Sequence, residues 1–172
     1  MEDADFGIRH EESPYRLYSI AKAGSIWSSP VVHKNTLIFG CNDGYVYALD
    51  ENGSKIWSFR TNDIVCSSPV VHNDIIVVGS YDGYLYAISM EGEVRWKFYT
   101  GDRVSASPLV VDGVVYFGSN NGNFYALSID DGKELWRYHH TEGIYYMSAS
   151  AANDSIFFGR YDGGVFCLSK DG

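Results

Sequence analysis

Residues 67–98, SSPVVHNDIIVVGSYDGYLYAISMEGEVRWKF, decide the fold, because most of the remaining chain repeats them. Four copies align, and the glycine that opens the central turn returns as Gly40, Gly79, Gly118 and Gly159, spaced by 39, 39 and 41 residues. A fixed period near 40 indicates stacked supersecondary units. Each unit reads as four short strands. Ser68-Pro69-Val70-Val71 opens with a proline, which a strand tolerates at its start. Ile75-Ile76-Val77-Val78 is a β-branched run suited to a strand buried on both faces. Tyr81-Asp82-Gly83 is a tight turn whose glycine supplies positive φ. Tyr84-Leu85-Tyr86-Ala87-Ile88 is the third strand, Met90-Glu91-Gly92-Glu93 turns again, and Val94-Arg95-Trp96-Lys97-Phe98 alternates apolar with charged residues as an outer strand does. Four antiparallel strands per 40-residue repeat predict an all-β fold, a β-propeller of about four blades in this chain.

The residues that return in register are Ser107-Pro108, Gly118, Asn121-Gly122, Tyr125-Ala126-Leu127 and Gly132-Lys133-Glu134-Leu135-Trp136. This signature resembles the pyrroloquinoline-quinone-like (PQQ-like) repeat of β-propellers and covers almost everything after Pro14. The resemblance implies the blade architecture. For function it implies a range, because the family spans quinoprotein dehydrogenases, assembly lipoproteins and scaffolds without cofactor.

The repeats fall at about 25–60, 64–99, 103–138 and 144–172, after an arm over 1–14 and an outer strand over 15–20. The fourth copy lacks an outer strand while segment 15–20 has no blade of its own, with Tyr18 where the next repeat has Trp57. Segment 15–20 is therefore expected to complete the fourth sheet. Closure has three forms: a four-bladed ring from one chain, two chains as halves of an eight-bladed ring, or part of a larger propeller. The eight-bladed assembly is favoured, and a two-fold pair of half-rings is a closed, symmetric homodimer.

The chain has 172 residues, 13 Lys and Arg against 22 Asp and Glu, and a net charge of −9. Its basic residues are scattered, so a phosphate backbone is repelled and nucleic acid is not an expected partner. No apolar stretch approaches the ~20 residues that span a bilayer. The N-terminal ten residues have no basic start or apolar run, and three cysteines, Cys41, Cys66 and Cys167, form no adjacent pair. Together these point to a reducing cytoplasm. Cys66 and Cys167 read as buried small hydrophobes, the latter in a slot that is alanine in the other repeats.

Trp57, Trp96 and Trp136 recur 13, 13 and 14 residues after their hairpin glycines, and Ala48, Ala87 and Ala126 recur on the third strand. The resemblance implies that each indole docks on the neighbouring blade near the small residue and donates its N–H to a backbone acceptor. Trp27 differs: it aligns with Cys66 and Ser105 on the innermost strand and is a candidate channel residue. The loops between blades and the central hairpin turns share one face, where a protein partner or small ligand is expected to bind. His139, His140 and Glu142 form a polar loop there, followed by Tyr145 and Tyr146, candidates for face or channel contacts. Adjacent histidines on an extended segment point apart, which disfavours a shared metal ion. Asp43, Asp82 and Asp162 precede turn glycines and are explained by turn formation, Asn121 replacing them in the third copy.

No catalytic constellation is present, so the expected function is a non-enzymatic scaffold for protein interaction or ligand binding. The resemblance implies two alternatives: a quinone-dependent dehydrogenase or fragment holding pyrroloquinoline quinone and calcium in the channel, or a sensor domain of a kinase-like parent.

Overall fold

The computed structural model describes residues 24–139, 148–160 and 163–172, with the backbone of Phe6–Arg9 and Leu17–Ile20. The described chain is all-β. Strands β1 (Phe6–Arg9) and β2 (Leu17–Ile20) pair with each other. The first blade is β3 (Val31–His33), β4 (Thr36–Gly40), β5 (Tyr45–Leu49) and β6 (Lys55–Arg60). The second is β7 (Val70–His72), β8 (Ile75–Gly79), β9 (Tyr84–Ser89) and β10 (Val94–Tyr99). The third is β11 (Leu109–Val111), β12 (Val114–Gly118), β13 (Asn123–Ser128) and β14 (Glu134–His139). The fourth sheet has three strands, β15 (Ser150–Ala152), β16 (Ser155–Gly159) and β17 (Val165–Ser169). Every sheet is an antiparallel meander in chain order.

The innermost hairpins turn through two residues of positive φ, Lys34-Asn35 and Asn73-Asp74, which matches the twist of the flanking strands. Adjacent blades bury the faces they turn toward each other. Ile38, Val46 and Ala48 on the trailing face of the first blade meet Ile76, Val78, Tyr86 and Ile88 on the leading face of the second. Val77, Leu85, Ala87 and Trp96 meet Val115, Phe117, Tyr125 and Leu127 in the same way. Tyr116, Phe124 and Ala126 then meet Ile156 and Phe158. Alternation along a strand buried on both sides therefore assigns successive residues to two different interfaces.

The Ser-Pro positions also join the blades. The Ser29 amide donates to Ser68 Oγ at 2.8 Å, and the Ser68 amide to Ser107 Oγ at 2.9 Å. Proline beside each serine has no N–H to leave unpaired at the strand start. The recurring turn glycine has a steric cause: a Cβ at Gly79 would lie 2.5 Å from Val104 Cγ1 of the segment entering the next blade.

Two expectations change at the ends. Phe6–Arg9, read as part of an arm, is a strand. Leu17–Ile20 is a strand as read, but its partner is β1 and not β17. The register explains why: Phe6 faces Ile20 and Ile8 faces Tyr18, as Phe124 faces Tyr138 and Ala126 faces Trp136. The hairpin β1–β2 thus has the layout of the third and fourth strands of a blade, and among the described residues the fourth sheet has three strands.

Candidate functional site

The docking residues take up the recurring aromatic positions. Trp57 Nε1 donates to Met90 O at 2.7 Å, Trp96 Nε1 to Ile129 O at 2.7 Å, and Trp136 Nε1 to Lys170 O at 2.9 Å. Each acceptor lies in the outer turn of the following blade, which satisfies the one polar group of a large apolar ring. The indole rests on a turn glycine, and a Cβ at Gly132 would lie 2.6 Å from Trp96 Cδ2 with φ at +69°, so no other residue fits that turn. Ala48, Ala87 and Ala126 are fully buried and sit directly across the sheet from the tryptophans.

The recurring carboxylates are also committed. Asp43 Oδ1 accepts from the Tyr45 amide at 3.1 Å and Oδ2 from the Tyr47 hydroxyl at 2.7 Å. Asp82 repeats both bonds with Tyr84 and Tyr86. In the third blade the Asn121 amide instead donates to Tyr125 Oη at 2.8 Å. Burial first, and then the adjacent Asp43 and Asp82 carboxylates, hold the Tyr47 and Tyr86 phenols protonated far above their ordinary range. Asp162 lies outside the described residues.

Cys41 occupies the slot filled by Ser80 and Ser119 in the next blades. Its thiol donates to Gly24 O at 3.3 Å, and burial pushes its pKa up to about 11. Cys66, read as a buried strand residue, is half-buried and precedes β7, and burial raises its thiol too. Cys167 corrects the sequence reading more sharply. It does hold the alanine slot, facing Phe157, but it is exposed, with no blade covering it among the described residues.

What differs between blades lies where each chain segment enters its innermost strand. Trp27, Cys66 and Ser105 are equivalent by spacing, and Asn42, Tyr81 and Asn120 are equivalent across from them. Ser105 Oγ donates to Asn120 Oδ1 at 3.2 Å. Tyr81 works against burial at the Cys66 thiol, lowering its pKa, and the Tyr81 ring carries the Arg103 guanidinium at 4.9 Å. Trp27 is 67% exposed, and Asn42 Oδ1 is buried with no hydrogen-bond partner among the described residues. Asn42 also lines an open depression with Asp43, Arg60, Thr61, Asn62 and Asp63. His139 closes β14, exposed, with Nδ1 2.8 Å from Asn123 Oδ1. His140, Tyr145 and Tyr146 lie outside the described residues.

Residues 42–172 match the family described as "Outer membrane protein assembly factor BamB". The chain belongs to the PQQ-repeat β-propeller family. Among solved structures it is similar to BamB from Moraxella catarrhalis, at 17% identity and a TM-score of 0.77, over 98% of this chain and 58% of that one. It is similar to the computationally designed Ika4 protein at 18% identity and a TM-score of 0.75, over 85% of this chain and 91% of the design. It is also similar to quinohemoprotein alcohol dehydrogenase from Comamonas testosteroni, at 16% identity and a TM-score of 0.75, over 87% of this chain and 34% of the enzyme. The chain thus spans less than two thirds of the length of BamB, and identities this low carry the fold alone. No curated protein matches the chain in sequence.

Part of the family implies a quinone and calcium. A calcium-bound quinone needs carboxylate and amide oxygens converging in the channel. The described entry positions offer an indole, a thiol and a hydroxyl, and no three His, Cys, Asp or Glu converge on a point among the described residues. The residues described do not fit that group.

Proposed function

We propose that the protein is a non-enzymatic scaffold that binds a protein segment or small ligand at its channel mouth and loop face. The observation that carries this reading is the division of labour within the repeat. Recurring Trp, Ser and Asp residues are consumed by docking, inter-blade bonds and turns, while the entry position changes from Trp27 to Cys66 to Ser105. In a repeat architecture, structure requires sameness and a specific contact requires difference. An exposed indole is a strong anchor for a partner. Exposed Asp63 and Asp102 on the neighbouring loops favour a basic segment beside it. Membership of a family described by an assembly factor supports the same reading.

The test compares immobilised wild type with Trp27→Ala in a native extract. The expected result is a discrete set of proteins retained by the wild type and released by salt. Those proteins should be lost from the variant, with circular dichroism and denaturant midpoint unchanged. Retention indifferent to Trp27 would move the site elsewhere. A quinone absorbance change on adding pyrroloquinoline quinone and calcium, with dye-linked alcohol oxidation, would replace the scaffold reading by an enzymatic one.

A further inference from the structure

The fourth blade ends on a face built for docking. Phe157, Val165 and Cys167 occupy the positions of Ile38, Val46 and Ala48, of Val77, Leu85 and Ala87, and of Tyr116, Phe124 and Ala126. In the first three blades these positions are closed to solvent, whereas Phe157 is 38% and Val165 80% exposed. Beside this face, β17 has β16 on one side and, among the described residues, no fourth strand on the other. An apolar face and a free strand edge together are a template for one further strand and sheet.

The complement is carried at the other end. β2 has the register of a fourth strand, but it is paired with β1, which stands where a third strand stands. Aligning β2 with β6, β10 and β14 places Tyr18 opposite Cys167 and Ile20 opposite Val165. It also gives Tyr18 the register position of Trp57, Trp96 and Trp136, whose rings meet Gly92, Gly132 and Gly172, and the equivalent outer-turn glycine of the first blade is Gly53, buried at φ +81°. β1 and β17 are therefore rivals for the same edge of β2. Among the described residues the fourth face stays open while β2 is held by β1.

We propose that the occupant is a second copy of this chain: β17 of one copy replaces β1 on β2 of the other, and the exchange, made twice, closes a two-fold ring. The contact is continuous with three blade interfaces already formed, and it covers the exposed apolar face with the strand type that the repeat lacks there. Head-to-tail contacts that close on themselves leave no edge for further growth.

The register gives the experiment. Tyr18→Cys places a thiol directly across from the native Cys167, where the short end of the cross-strand Cβ range meets the separation a disulfide needs. Oxidation of Tyr18→Cys is expected to give a covalent dimer at twice the 19.2 kDa chain mass, absent from Tyr18→Cys/Cys167→Ser. Light scattering of the unmodified chain should give the dimer mass. Val165→Lys should give the monomer mass with an unchanged circular dichroism spectrum, since Val165 is exposed in the single chain. A chain that stays monomeric at every concentration overturns the proposal. A Tyr18→Cys disulfide formed within one chain also overturns it, in favour of a ring closed by a single copy.

Discussion

The leading face of the first blade and the trailing face of the fourth are both outermost surfaces of the four-blade run, yet they differ in burial. Phe39, Tyr47 and Leu49 of the first are buried, as are their equivalents in the second and third blades. Phe157, Val165 and Cys167 of the fourth stand open, although they follow the same repeat pattern as residues that are closed elsewhere. Burial at a docking position is thus a property of the neighbour, while the residue type records only that a neighbour can be received. Substitutions at equivalent positions of different blades should therefore have different costs.

The largest difference is expected between the tryptophans. Trp96 is buried between complete blades and bonded to Ile129 O. Trp96→Ala should cost about 3–5 kcal/mol, since it leaves a ring-sized cavity and an unpaired acceptor. Trp136 is half-buried and docks on Gly172 of the three-stranded sheet, so Trp136→Ala should cost about 1–3 kcal/mol. Urea midpoints of the two variants measure the gap, and equal losses would mean that the open sheet supports its neighbour as firmly as a complete blade.

A sharper contrast comes from one repeat position. Leu85 is closed off between the second and third blades, so Leu85→Ala should cost about 2–5 kcal/mol. Val165, its equivalent, is solvated, and Val165→Ala should change monomer stability by less than about 0.5 kcal/mol. If the ring closes as proposed, Val165→Ala becomes costly at concentrations where dimers form. The same pair of variants measured at two protein concentrations then separates an open end from a filled one.

The blades were legible because each signal has a local cause: β-branched runs for the second strand, Gly83 for the hairpin, Trp96 for the outer strand. The end structure was less legible. β1 carries the sequence FGIR, without the Tyr-Ala-Leu letters of a third strand, and only the ten-residue interval from Ile8 to Tyr18, equal to that from Ala126 to Trp136, marks it. The exposure of Cys167 was hidden for a different reason. Its slot, next to Phe166 and Leu168, is a buried one in every complete blade, and the missing neighbour is not written at that position. At the candidate site, Trp27 stood out as an irregular letter in a regular frame, whereas the unpaired Asn42 Oδ1 became visible only once the Ser105–Asn120 bond showed what its equivalents do.

The thiols compare the two ends chemically. Cys41 is buried near the covered end and its pKa is pushed up to about 11, so thiolate is scarce at pH 8. Cys167 is exposed at the open end. A thiol-reactive disulfide reagent should label Cys167 first, Cys66 more slowly, and Cys41 only on unfolding, as read by mass spectrometry of timed digests. Slow labelling of Cys167 that quickens on dilution would show the open end being covered by association.

The smallest expected effect concerns the turns that clamp one blade to the next. Asp74 in the inner turn of the second blade accepts from Lys34 Nζ at 2.7 Å and from His33 Nε2 at 2.7 Å, both in the first blade. The Lys34 hydrogen bond first, and then that of His33, holds the Asp74 carboxyl below its ordinary pKa. A carboxyl depressed in the folded state contributes stability that is present above its unfolded pKa of about 4 and is lost as pH falls through the lower folded value. Asp74→Asn should therefore lower the urea midpoint slightly at pH 7, and the gap between wild type and variant should narrow as pH falls below about 4 and close below the folded value. Because the pair is exposed to solvent, the difference should also shrink as salt is raised. A gap that persisted at low pH and high salt would mean that Asp74 acts by shaping the turn at φ +62° and not by its charge.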